Sequence, residues 1–341
     1  MTHTTPPRPM DIEAEFPELS GYRKVCTRLH PRAGTAGRQE SSVGGPFLWP
    51  QDEPWPTCRA PHPRNRGRRV EDVHAWRRVL AEAWRRDPDV GPSQEERDIL
   101  SALEQVHHVP GLSDTAPVPL LPVAQLFVRD IPGLVAPPGC DLLQVLWCPF
   151  DSHGPQSGPG VLVQWRSSSG IGAALAEPPL PEVIGDAGYV PEPCLLDPEQ
   201  VVEHEYQELL SETLQEQLEA WEAEAEEAAE DSYDDESEFV TYHHDLSIAP
   251  GWKIGGYASW NVTGPSEAKC SCGESMQLLL KIDSREWDSG TLSWVPLEDR
   301  ELINESEANA PTQVTVGRGG SLNIFSCPAD PAHEHKVILQ G

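Results

Sequence analysis

Three features of the sequence predict an α+β fold: an internally duplicated, β-rich body with two related halves, a helical-hairpin insertion and an acidic helix. The first is a repeated string. "LLQVLWCPFD" at 142–151 returns as "SLNIFSCPAD" at 321–330, with Cys148 and Cys327 separated by 179 positions. Each copy is an apolar run that stops at Cys-Pro-x-Asp. The second is the punctuation: 35 prolines and 27 glycines in 341 residues imply short elements joined by irregular connections, not a helical bundle. The third is that helical periodicity is confined to two stretches, one inside 59–115 and one after 197.

Along the chain, residues 1–20 read as a disordered arm. The first half of the duplicated body spans 21–196 and opens with "SSVGGPFLWPQDEPWPTC" at 41–58, a paired-glycine turn beside tryptophans. Residues 59–115 read as the helical insertion. Val73, Trp76, Leu80 and Trp84 form one stripe. Ser93 with Glu96 is a capping box that opens a second helix, with Ile99, Leu103 and Val106 expected inward. Strands follow at 118–134, 141–150 and 160–167. Asp197-Pro198 with Gln200 reads as the start of an acidic helix running through Leu218 and Trp221, and 197–247 as that helix plus a disordered linker. The second half, 248–341, reads as mostly strand: "WKIGGYASW", "SMQLLLKID", "LSWVPLE", "TQVTVGR", "SLNIFSC" and "HKVILQG".

The halves align at further landmarks. Val43-Gly44-Gly45 through Trp49 matches Ile254-Gly255-Gly256 through Trp260, with Cys58 and Cys270 following. Pro122 to Phe127 pairs with Leu278 to Ile282. These ordered strings, with "CSCG" at 270–273 and "IFSCPADPAHEH" at 324–335, resemble the YwqG-like family of bacterial domains. More remotely they resemble the C-terminal domain of programmed cell death protein 2. The resemblance covers most of 22–341, excluding the insertion and the acidic stretch. It implies a duplicated α+β body without an established enzymatic activity. For the eukaryotic relatives it implies chaperoning of a ribosomal protein, and for some bacterial ones immunity against a toxin.

Metal chemistry is the strongest chemical signal. Cys270, Cys272 and Cys327, with His333 or His335 just beyond, make a Cys3His set of the kind that holds structural zinc. The Cys-x-Cys spacing is shorter than the usual knuckle, and the alternative is a strand-capping Cys327 with solvent-exposed histidines. The first half offers Cys58, His62, Cys148 and His153, a Cys2His2 set, against the alternative of two buried thiols with loop histidines. Cys26, Cys140 and Cys194 have no partner pattern and read as packing residues. His243-His244-Asp245 is a candidate general-base group that reads as linker. No nucleophile elbow or phosphate-binding loop is present, so no catalytic residue is assigned. A metal-dependent enzyme with an open coordination position is the rival reading.

Net charge is −30, and residues 203–238 hold 16 Asp or Glu and no Lys or Arg. Such a chain repels phosphate backbones and attracts basic proteins, so a basic client is expected (a ribosomal protein or a toxin) and nucleic acid is not. Trp49, Trp55, Trp252 and Trp260 are candidates for the core or for an aromatic groove. Arg59, Arg64, Arg66, Arg68 and Arg69 form the one basic cluster. It is open to three readings: a solvated loop, a partner of the acidic helix, or an RNA contact. The N-terminal residues lack the apolar core of a secretion signal and no run reaches membrane-span length, which predicts a cytoplasmic protein.

Overall fold

The computed structural model describes residues 3–64, 67–151, 153–154, 158–230, 239–305 and 307–341. Helices and antiparallel sheets are mixed in this chain. One six-stranded sheet has the order β10 (Glu199–His204), β1 (Arg23–Arg28), β11 (Lys253–Gly255), β12 (Gln277–Asp283), β13 (Ser321–Ser326) and β14 (Lys336–Gln340). The other has the order β2 (Arg32–Ala33), β9 (Cys194–Leu195), β3 (Ser42–Val43), β6 (Leu121–Phe127), β7 (Leu142–Trp147) and β8 (Val161–Arg166). All these pairings are antiparallel. A short ladder of β4 (Thr57–Cys58) and β5 (Val118–Pro119) closes the base of the helical hairpin.

One apolar core lies between the two sheets. Leu143, Val145 and Trp147 of β7 meet Leu280 and Ile282 of β12 and Leu322 and Ile324 of β13. Alternation along a strand puts every second side chain into this layer. The opposite faces are also covered. Phe47, Trp49, Val118 and Phe150 pack with Leu146 and Cys148 over one sheet, and Trp260, Met276 and Cys270 pack with Phe325 and Cys327 over the other. Strands buried on both faces read as continuous apolar runs, which is why "LLQVLW" and "SLNIF" lack a polar alternation.

Two segments cross between the sheets. The chain runs from β1 into β2 in one direction and from β9 into β10 in the other, so the sheet of the C-terminal half also holds β1 from the N-terminal flank, while all strands of the other lie between Arg32 and Leu195. This overturns the helix expected from Asp197. "EQVVEH" is strand β10, paired over its full length with β1, because the β-branched Val201 and Val202 complete a sheet edge there. The acidic helix is α4, Glu212–Glu230, and it begins after Ser211, whose Oγ accepts from the Leu214 N–H. Leu214 and Leu218 are buried, while Glu212, Glu216, Glu219, Glu224, Glu226 and Glu227 face solvent. Residues 231–238, read as part of a disordered linker, lie outside the described residues.

Several other expectations are corrected. The N-terminal arm is docked over 3–20. Arg8 lies 3.5 Å over the Trp294 ring, the Thr4 N–H donates to Glu298, and Ile12 and Leu19 are buried in a cluster with Leu214, Leu218 and Tyr242. Around α1 (Ile12–Glu15), Phe16 sets its ring edge-on to Trp221. A short arm reads as disordered when its few apolar residues have no periodic partner in sequence; here the partner is α4. The segment 239–247 is a π-helical turn, Tyr242–Ser247, with Tyr242 and Leu246 buried, not a linker. In the insertion, α2 (Val70–Arg86) buries Val73, but α3 (Gln94–Leu103) buries Leu100 and exposes Ile99. Val106 is exposed as well. In the second half, "LSWVPLE" folds as 3-10 turns around the buried Trp294, and "TQVTVGR" is irregular.

The Gly255-Gly256 pair has a specific cause. Both have positive φ, and a Cβ on Gly256 would meet the Glu203 carboxylate at 2.1 Å. Glu203 and Lys253 are a fully buried ion pair, and the same carboxylate accepts the Ala249 and Tyr257 N–H groups at 2.7 and 2.9 Å. Removing one partner leaves an uncompensated charge. Lys253→Met is expected to cost about 3–5 kcal/mol, and adding Glu203→Gln should recover part of it. Urea unfolding of the three variants checks this, and a single-mutant loss below about 1 kcal/mol contradicts it.

Candidate metal centres

Each site is built at the end of the middle strand of a three-stranded meander. In the first, β7 ends at Trp147 and Cys148 follows, with its N–H on the Gly160 carbonyl. The β7–β8 connection brings His153 back, and Gly160 leaves room for that ring: a Cβ there would lie 2.9 Å from it. Cys58 comes from β4. The loop after it is pinned by Asp114, whose carbonyl takes the His62 N–H and whose carboxylate takes the Arg64 N–H. This places His62 between the two sulfurs, stacked on Phe150 at 4.8 Å.

In the second, β13 ends at Ser326 and Cys327 follows. His333 sits in the β13–β14 connection, with its N–H on the Asp330 carbonyl. Cys270-Ser-Cys272 forms a tight turn. The Gly273 N–H reaches the Cys270 carbonyl, the Cys270 N–H reaches the Glu274 carbonyl, and Gly273 has φ +97°. The positive φ lets Gly273 close the turn so that Glu274 pairs back with Cys270.

The distances decide what these groups can do. Cys58, His62, Cys148 and His153 bring their ligand atoms within 4.8 Å of one another, and so do Cys270, Cys272, Cys327 and His333. His62 Nε2 is 3.4 Å from both the Cys58 and the Cys148 sulfur, and His153 Nε2 is 3.8 Å from Cys58. Cys272 and Cys327 are 3.5 Å apart, and Cys270 is 3.4 Å from His333 Nδ1. Metal–sulfur bonds of about 2.3 Å and metal–nitrogen bonds of about 2.05 Å at tetrahedral angles require edges of about 3.6–3.8 Å. The observed edges fit within a few tenths of an ångström. A disulfide, at about 2.05 Å, does not fit the Cys272–Cys327 separation. Both groups can therefore hold a metal ion.

Electrostatics differ between the sites. Burial pushes the Cys148 thiol up to about 12, with the Cys58 sulfur adding to it. Burial lowers His62 and His153, which keeps both imidazoles in the neutral form that ligates. Arg64 is buried beside the two sulfurs and its Nε has no hydrogen-bond partner among the described residues. In the second site the Cys272 N–H and the neighbouring thiols and His333 bring Cys270 down to about 6. His333 is raised by Cys327 and Cys270, and its Nε2 lies 3.9 Å from the Asp330 carboxylate, beyond hydrogen-bond range.

The remaining sequence candidates lie elsewhere. His335 is outside the second group; its Nε2 is buried without a hydrogen-bond partner. Cys26 and Cys194 are buried packing residues and Cys140 is half-buried. Asp245 caps Thr241 through the N–H and hydroxyl, so it does not orient His243 or His244. Those histidines line a cleft of about 420 Å³ with Lys281, Arg285 and Trp287, which sequence periodicity gave no means to find. Trp49, Trp252 and Trp260 are buried and Trp55 is half-buried, so they pack in the protein, and Trp260 also lines that cleft. Among the described members of the arginine cluster, Arg64 belongs to the first site, and none pairs with α4. Arg66 lies outside the described residues. No helix among the described residues is long and apolar enough to cross a membrane.

No protein-family model and no curated protein matches the chain. The assignment of the sites rests on their geometry.

Titration of metal-free protein with Co²⁺ should give the intense visible bands of tetrahedral cobalt thiolate and saturate at about two ions per chain. Cys148→Ser and Cys327→Ser should each remove about one ion, from different sites. Saturation at one ion, or loss of both through one substitution, contradicts two independent centres.

Proposed function

We propose that this chain is a non-enzymatic protein-binding module, held by two structural zinc ions, that takes up a basic client. The observation that carries the reading is that each Cys/His group brings four candidate donor atoms within 4.8 Å of one another. Four protein donors leave no position for water or substrate, so a metal there braces the fold and does no chemistry. Thiolate and imidazole favour zinc over the harder cations. With Zn²⁺ the Cys2His2 site is neutral beside the Arg64 cation, and the Cys3His site carries a net negative charge.

The client's chemistry follows from the surface. The net charge of −30 and the exposed glutamates of α4 steer a basic protein inward and repel nucleic acid. A ribosomal protein and a basic toxin both fit that description; they differ in identity and not in how they would be recognised. An active metalloenzyme is disfavoured by the closed ligand sets.

We further propose that the two meanders descend from one duplicated unit and that the chain is a YwqG-like protein. Matching details support this. Both orders run β3-β6-β7-β8 and β11-β12-β13-β14, and β6 and β12 each carry a register shift. Gln144, four residues before Cys148, donates to the Leu48 carbonyl; Asn323, four before Cys327, donates to the Ser259 carbonyl. Each acceptor directly precedes the tryptophan of its own half, Trp49 or Trp260.

Purified protein should contain about two zinc ions per chain and bind basic proteins of matched size in preference to neutral ones. Binding should weaken steeply as salt rises from about 0.05 to 0.5 M. Equal binding of neutral proteins, or salt-insensitive binding, refutes the electrostatic reading.

A further inference from the structure

β8 and β14 are the outermost strands of their sheets, and they run along one trough. The Cys148–Gly160 bond and the register of β7 with β8 place even-numbered residues of β8 in the hydrogen-bonded positions. Val161, Val163 and Trp165 therefore turn their N–H and C=O groups outward. Among the described residues, the Gln164 side chain on the Trp165 carbonyl, at 3.2 Å, is the only bond to that outward row. Such a row is a template for another strand.

The trough beside it has a volume of about 520 Å³ between Val163 and Trp165 of β8 and His335 and Val337 of the facing segment. A further 190 Å³ continues toward Gly160 and Leu339, and Val161 and Val337 line both parts. Two buried polar atoms on these residues, Trp165 Nε1 and His335 Nε2, have no hydrogen-bond partner among the described residues. His153 stands at one part and His333 at the other, so each metal centre borders the trough.

We infer that β8 accepts an extended, basic segment of a client protein as an added strand, seated in the trough between β8 and β14. This rests on the reading of the chain as a binder of basic clients. Strand addition points alternate side chains of the guest one way, toward Val161, Val163 and Val337, and the others to solvent. The guest is thus alternately apolar and basic. No Lys or Arg lines the trough, Glu334 does, and a second copy carrying −30 would be repelled. Six residues of β8 match a guest segment of about 20 Å.

The test uses the zinc-loaded full chain and a fluorescein-labelled peptide of alternating lysine and valine, about eight residues long. Saturable anisotropy is expected, together with slowed hydrogen exchange at the Val161, Val163 and Trp165 amides. Val163→Pro deletes one outward N–H while sparing the bonds to β7, and should weaken binding by at least about tenfold; Val163→Ala keeps that N–H, loses only a side-chain contact, and should weaken binding clearly less than Val163→Pro. If Val163→Pro does not fold, the exchange measurement on the unsubstituted chain decides. Tight binding without protection at β8 overturns the trough and leaves the basic-client reading standing. Equal binding of a same-charge peptide interrupted by prolines overturns strand addition. Protection of β8 that instead accompanies dimerisation makes a second copy the occupant and overturns the basic guest. Failure of every basic peptide and every basic protein to bind removes the functional reading itself.

Discussion

The molecule depends on two sheets sharing one apolar layer while the chain crosses between them twice. Face-to-face burial supplies the stabilisation, because each β-strand offers an apolar side chain at every second position. The crossings tie one sheet to both flanks: β1 joins strands that come from Glu199 onward, whereas every strand of the other sheet lies between Arg32 and Leu195. Only the first of the two sheets therefore needs chain from both flanks.

The metal centres take their position from that framework. A middle strand buried on both faces has to end at a layer boundary, and Cys148 and Cys327 sit at those boundaries. From there each sulfur faces a hairpin connection on one side and an incoming loop on the other, which is how four donors from distant stretches meet. A bound ion would tie loops that the sheets leave loose: the entry to the helical hairpin in one case, the Cys-x-Cys turn in the other. Small outer clusters around Trp49 and Trp260 provide the dry, packed surroundings. Inside the protein the Lys253 charge is compensated by Glu203, while Gln144 and Asn323 spend their amides on loop carbonyls.

The acidic character is carried differently. α4 docks through a narrow stripe, Leu214 and Leu218, onto the N-terminal arm, and leaves its glutamates in solvent. The charge therefore contributes little to holding the fold and much to what can approach it. The half-buried edges of β8 and β14 lie on a different part of the surface, where hydrogen-bonding groups rather than charge are on offer.

By itself the sequence determined the strands that end in Cys-Pro, the capping-box helix at 94–103, the cysteines of the two candidate metal groups and the sign of the surface. These are local in sequence: a run of apolar residues, a Ser with a Glu three positions on, cysteines with histidines close behind. Tertiary structure alone decided the rest. Asp197-Pro198 carries a good helix-start signal, yet β1 offered an edge, and pairing along six residues outweighed the local preference. The arm at 3–20 reads as loose because its partners on α4 are some 200 residues away in sequence, and the turn at 242–247 because Tyr242 and Leu246 find theirs across the acidic stretch. The choice of His333 over His335 depended on which ring the β13–β14 connection turned toward the sulfurs, and that direction is set by backbone geometry that spacing does not encode.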